Sequence, residues 1–198
     1  MTKTATDILQ ANLLGSIEAK QTMLADDGRL RAFASAAEAV TEVYQKGGRI
    51  YIAGNGGSAA DAQHLAAEFV SKLARDRDPL PAEALTVDSS ILTAIGNDYG
   101  FDQLFARQIR GKMTDKDIFL GITTSGNSAN IIEALRICRS LNIPTVLLSG
   151  HQGGKAAALA DHVLLVPGAR TSTIQELHIV LAHTLCECVE NALFQPAP

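Results

Sequence analysis

The sequence predicts a doubly wound α/β domain, a mostly parallel sheet flanked by helices on both faces. Three observations carry that expectation. From Gly47 onward, short apolar runs alternate with helical stretches long enough to serve as crossovers. Two of those runs end in glycine- or hydroxyl-rich turns that lead straight into helical segments. The 198 residues, 46% hydrophobic and 19% charged, suit one globular domain with a sizeable core.

The elements follow in order. Apolar positions at helical spacing (Ile8, Leu9, Ile17, Met23, Leu30, Phe33, Ala37, Val40, Val43) run from about Ala5 to Lys46 and stop at Gly47-Gly48. They predict one or two helices over about residues 1–46, ahead of an α/β core over 47–198, all within a single domain of 1–198. "RIYIAG" reads as a strand, "SAADAQHLAAEFVSKL" as a helix and "AEALTV" as a strand. "SSILTAIGNDY" is a short helix, "DQLFARQIRGKM" a helix, "DIFLGIT" a strand and "SANIIEALRICRSL" a helix. "PTVLLSG" is a strand, "KAAALA" a helical turn, "HVLLVPG" a strand, and a last helix spans about Thr173 to Leu193.

Bulk properties exclude several classes. A net charge of -4 argues against nucleic acid as the main partner. No apolar run approaches the roughly eighteen residues of a membrane span, and "MTKTATDILQANLL" lacks a signal-peptide pattern. Cys138, Cys186 and Cys188 are an odd set without framework spacing, better suited to buried thiols than to disulfides or metal. These features imply a cytoplasmic protein.

Ligands of open parallel sheets gather at the carboxyl ends of strands, where three stretches draw attention. "GNGGSA" follows the first strand; its glycines let backbone N–H groups approach a ligand, and Ser58 is suited to cap the next helix. The plain alternative is a tight turn. "TTSGNS" holds four hydroxyls (Thr123, Thr124, Ser125, Ser128) at a helix start, more than one cap requires, which favours anion binding over simple capping. No Gly-Lys-Ser/Thr follows, so this is not a nucleotide-hydrolysing loop. In "HLAAE", His64 and Glu68 stand at i and i+4 on one helical face. The pair suits zinc or proton transfer, or merely a hydrogen bond on a solvated face. The last helix adds Gln175, Glu176, His178, His183 and Glu187. Spacing alone pairs His183 with Glu187, puts Gln175 about 12 Å from His183 along the axis, and does not choose between Gln175 and Glu187.

At "GNGGSAADAQHLAAEF", "LTAIGNDYGF", "TTSGNSAN" and "IQELHIVLAH" the chain resembles the bacterial phosphoheptose (sedoheptulose-7-phosphate) isomerases of the sugar isomerase (SIS) domain superfamily, over nearly its whole length. The resemblance implies a flavodoxin-like α/β/α sandwich. It implies one Zn2+ per subunit on His64, Glu68, Gln175 and His183, with Glu68 the catalytic base and His183 the acid. It also implies substrate contacts from Asn55, Gly56, Gly57, Glu68, Asn97, Asp98 and Gln175, with Thr123, Thr124, Ser125 and Ser128 forming the phosphate and substrate loop. The implied assembly is a homotetramer with active sites at subunit interfaces, and the implied role is the first step towards ADP- or GDP-heptose for lipopolysaccharide or other surface glycans. Two departures stand out: Thr123 replaces an expected serine, and Thr171-Ser172-Thr173 stands where some relatives carry an aspartate or arginine.

The residue types fit ketose–aldose chemistry, which needs a base, a proton shuttle and a cation or donors for the developing oxyanion. The superfamily offers two other expectations. One is a non-catalytic tetramer that binds the bacterial replication initiator, which lacks the counterparts of Glu68 and His183; this chain has both. The other is a sugar-phosphate-sensing module, against which the lack of a DNA-binding segment speaks.

Overall fold

The computed structural model describes residues 3–194; the ends of the expected 1–198 domain, residues 1–2 and 195–198, lie outside the described residues. Two helices precede the sheet. α1 (Ala5–Leu24) starts in a capping box, where Asp7 N–H donates to Thr4 Oγ1 at 3.1 Å and Thr4 N–H donates to the Asp7 carboxylate at 2.9 Å. α2 (Asp27–Gln45) is capped by Asp26, which accepts from Arg29 N–H at 3.1 Å.

Five parallel strands follow: β1 (Ile50–Gly54), β2 (Ala82–Ala84), β3 (Ile118–Thr123), β4 (Thr145–Gly150) and β5 (His162–Val166). Their spatial order is β2-β1-β3-β4-β5. The crossovers include α3 (Gly57–Val70), α4 (Ser89–Tyr99), α5 (Leu104–Lys112) and α6 (Ala129–Ser140), and α7 (Thr171–Phe194) closes the fold. β1, β3 and β4 are buried throughout, as strands covered on both faces must be. Alternate residues feed two cores. Ile50, Ile52, Leu120, Ile122, Val146 and Leu148 pack with α1, α2, α3 and α7, while Tyr51, Ala53, Phe119 and Leu147 pack with α5 and α6.

Four expected boundaries move. The strand read in "AEALTV" shortens to three residues at the sheet edge: Leu85 N–H still reaches Ile52 O at 2.9 Å, but the chain then turns into the Asp88 cap of α4. α3 stops at Val70 rather than Leu73, because Leu73 N–H donates to the Glu190 carboxylate at 3.0 Å instead of back into the helix. The turn in "KAAALA" is one 3₁₀ turn at Ala157–Leu159, and α7 begins two residues early, at Thr171. By length and hydropathy alone α7 could cross a bilayer, but it lies on the sheet with Leu177, Leu181, Leu185 and Val189 buried.

The topology dictates where a ligand fits. The chain leaves β1 for β2 on one side and returns to β3 on the other, so the β1–α3 and β3–α6 loops diverge from neighbouring strands. That crevice is the switch point at which open α/β sheets bind ligands.

Candidate active site

Both loops at the switch point are shaped by backbone requirements. Gly56 takes φ 56°, ψ -120° as the residue ahead of α3, a conformation that glycine adopts without strain. Ser58 is not the cap that the sequence suggests: it lies buried inside the first turn, and no side chain caps α3. In the second loop Gly126 has φ 67°, and a Cβ there would collide with the Gly153 carbonyl. The loop is braced from the β4 side, with Gly150 N–H on Thr124 O at 3.2 Å and Ala156 N–H on Gly126 O at 3.0 Å. Asn127 adds a further tie, accepting from Lys155 N–H at 3.2 Å.

The hydroxyls of this loop do not cap α6. Ser128, the N-cap residue, shares a 2.9 Å hydrogen bond with Thr123 Oγ1 instead. The first N–H groups of α6 are therefore left without a side-chain acceptor, beside Thr124 and Ser125, an arrangement able to hold an anion. Thr123 is buried, and its role here needs only a hydroxyl, so threonine in place of serine fits. Across the crevice Asn55 and the buried Asn130 exchange two amide hydrogen bonds of 2.9 and 2.8 Å. Asn130, one residue into α6, escaped the sequence reading, as did Asn127.

The third cluster joins α3 to α7. His64 Nε2 lies 3.0 Å from Glu68 Oε1 and 3.1 Å from His183 Nε2, and one ligand atom from each of the three residues falls within 4.8 Å of the others. The two imidazole rings are tilted by 56° with centroids 4.9 Å apart. Glu68 Oε2 makes no hydrogen bond among the described residues. A single Nε2 facing a carboxylate oxygen and a second ring nitrogen is the pattern of ligand atoms converging on a point. The separations approach the ~3.3 Å edge of a tetrahedron with metal–ligand bonds near 2.0 Å, and two imidazoles with a carboxylate are a donor set that zinc accepts. The residues present therefore fit a zinc ion.

Gln175 and Glu187, which spacing left undecided, differ in place. Gln175 lies against the head of α3, where a Cβ on Gly57 would collide with its amide nitrogen. With Gln175 beside Gly57 and His183 beside His64, α3 and α7 run in the same direction. No hydrogen bond among the described residues joins Gln175 to the three-residue group. Glu187 is exposed and outside the group. Glu176 turns away to Ser16 and Lys20 on α1. His178 is fully buried in the core, where burial pushes its pKa down to about 4. Asn97 and Asp98 are exposed at the end of α4, joined to each other at 2.7 Å and to none of the other site residues. Asp61, one turn before His64, was missed: one carboxylate oxygen is buried without a partner, and burial raises its pKa against the pull of His64.

The chain is similar to known proteins over most of its length. The SIS domain family matches residues 17–150, which include both switch-point loops but stop short of α7. Phosphoheptose isomerase of Aneurinibacillus thermoaerophilus is 51% identical over 96% of this chain and 96% of its own. The enzyme of the same name from Burkholderia pseudomallei strain K96243 is 48% identical over 87% of each. The solved structure of phosphoheptose isomerase from Neisseria gonorrhoeae superposes with a TM-score of 0.89 at 43% identity, covering 95% of this chain and 100% of that one. That from Francisella tularensis does so at 0.90 and 36% identity, covering 96% and 100%. Relatives this similar over nearly the whole chain leave one conclusion: the chain belongs to the phosphoheptose isomerases, sugar-phosphate isomerases of the SIS domain family.

Proposed function

We propose that this enzyme converts D-sedoheptulose 7-phosphate to D-glycero-D-manno-heptose 7-phosphate through an enediol(ate), with Glu68 and His183 as the reacting groups. One observation supports the assignment of residues: His64 Nε2 lies 3.0 Å from the Glu68 carboxylate on its own helix and 3.1 Å from Nε2 of His183, 119 residues away on α7. Glu68 Oε2 takes a proton from C1 of the ketose, exchanges it with solvent and delivers a proton to C2. His183 gives a proton to O2 and receives the one released from O1, so that the second carbonyl forms at C1. The N-terminus of α6 with Thr124 and Ser125, supported by the Thr123–Ser128 pair, holds the phosphate. Remote binding energy of that kind fixes the reacting carbons against the base. Asn55, Gly56 and Gly57 face the sugar chain from the first loop, and Asn97, Asp98 and Gln175 are assigned to its hydroxyls.

His64, Glu68 and His183, with Gln175 on their N-terminal side, would hold one zinc ion per subunit. Zinc, when bound, supplies Lewis-acid polarisation of the substrate carbonyl. Assembly as a homotetramer would cover the exposed apolar residues Ile8, Leu9, Leu13, Leu14 and Ile17 on α1. A cytoplasmic place and a product destined for nucleotide-activated heptose, for lipopolysaccharide or other surface glycans, complete the reading. The non-catalytic initiator-binding alternative is disfavoured by the presence of both Glu68 and His183.

The test is incubation with sedoheptulose 7-phosphate in deuterated water, followed by NMR, with and without zinc. An aldoheptose phosphate carrying deuterium at C2 is expected. No conversion under either condition would overturn the proposal.

A further inference from the structure

Of the ion pairs formed among the described residues, only Arg77–Glu190 is sealed from solvent, with both side chains 1% exposed. Arg77 stands in the loop after α3 and Glu190 near the end of α7. Glu190 Oε1 accepts from Arg77 Nε at 2.8 Å and from Leu73 N–H at 3.0 Å, while Oε2 accepts from Ala74 N–H at 3.2 Å. The guanidinium also donates through Nη2 to the Glu68 carbonyl at 2.9 Å and through Nη1 to the Phe69 carbonyl at 2.7 Å. Those are two of the last four carbonyls of α3, which have no partner within the helix. Arg77 thus satisfies the helix end chemically and sets a cation at the negative end of its dipole.

Burial of an ion pair is poor evidence that it stabilises a fold, since an apolar pair of similar size often does as well. What the apolar pair cannot supply is direction. Glu190 lies seven residues beyond His183, two turns along the same face of α7. One planar guanidinium therefore grips the main chain of Glu68 and, through Glu190, the helix that bears His183. We propose that Arg77 and Glu190 are positioning residues for the isomerisation, locking the Glu68 turn of α3 to the His183 stretch of α7 and so setting the spacing of carboxylate and imidazole. The inference rests on the reading of Glu68 and His183 as the reacting groups. A shift of about 1 Å between such groups can cost on the order of a hundredfold in rate without loss of binding.

The full-length enzyme is tested with sedoheptulose 7-phosphate as the apolar double variant Arg77→Met/Glu190→Leu and as the isosteric single variant Glu190→Gln, each checked for melting temperature. Both are expected to lose kcat by about tenfold or more, with KM changed less than about twofold, because the phosphate loop lies on β3 and α6, away from the clamp. In the double variant this loss is expected even where the melting temperature matches wild type. A folded double variant with wild-type kcat would overturn the proposal, leaving the pair purely structural. Should the double variant not fold, Glu190→Gln decides: it keeps an acceptor oxygen for the loop amides but no charge for Arg77, and wild-type kcat in it is equally fatal. Glu68→Gln is run in parallel. If it turns over normally, the assignment of the base has failed; if it is inactive while the clamp variants are fully active, only the clamp has.

Discussion

Asn55 and Asn130 hold each other by both amide groups, Nδ2 to Oδ1 in each direction at 2.9 and 2.8 Å, across the crevice between the ends of β1 and β3. The pair fastens the glycine loop to the start of α6 and fixes which way the Asn55 amide points. With its side-chain contacts satisfied, Asn55 offers a ligand a rigid edge rather than a mobile amide. Asn130→Ala removes one half of the pair. It should destabilise the protein by about 1–3 kcal/mol, the cost of orphaning a polar group at a part-buried site. It should also lower kcat/KM for the sugar phosphate by tenfold or more. Unfolding curves and steady-state kinetics check the two effects; unchanged kinetics would mean that Asn55 needs no such support.

Much of this crevice was visible in the sequence because its causes are local. A glycine loop after a buried strand, hydroxyls before a helix, and His64 four residues before Glu68 each follow from short-range geometry. What escaped depends on contacts between distant segments. Asn130 is 75 residues from Asn55, and Glu190 is 113 from Arg77, so neither pairing leaves a mark in spacing. Ser58 misled for the same reason: its type suits a cap, but the Gly56 conformation starts the helix early and buries it. The partner of His183 was out of reach of spacing and came only from the resemblance, because the packing of α7 on α3, and not the period of α7, sets which residues turn towards His64.

Glu68→Gln keeps the shape of the side chain and removes its ability to accept a carbon-bound proton. Isomerisation and solvent deuterium exchange should fall by at least about 10²–10⁴-fold, the contribution of a well-placed base. Fold and phosphate binding should persist, since Glu68 touches neither the sheet core nor the β3–α6 loop. Kinetics with thermal melting and inorganic phosphate titration checks this, and near-normal turnover would end the assignment of Glu68 as base.

Dialysis against a strong chelator should slow the reaction by at least tenfold, with zinc restoring it, if His64, Glu68 and His183 hold an ion. His64→Ala should lose metal stoichiometry as well as activity, measured by elemental analysis of the purified protein. Full activity in metal-free enzyme would reduce the ion to a bystander and leave the three side chains to act alone.

The buried His178 predicts a pH dependence of stability that has nothing to do with catalysis. Burial pushes its folded pKa down to about 4, whereas an unfolded histidine titrates near 6.5. Between those values the unfolded chain binds a proton that the folded chain refuses, so stability falls as the pH drops through that window. The stabilisation is fully present above about pH 6.5 and is lost by about pH 4, a difference of about 3 kcal/mol at most. By pH 5 about 2 kcal/mol of it should be gone. His178→Leu, matched roughly in volume and unable to take up a proton, should flatten that part of the curve. Calorimetric melting at pH 7.5 and 5.0, at equal protein concentration, makes the comparison. If wild type and His178→Leu lose stability equally between the two, His178 is protonated in the fold more easily than its burial allows, and the acid sensitivity comes from other groups.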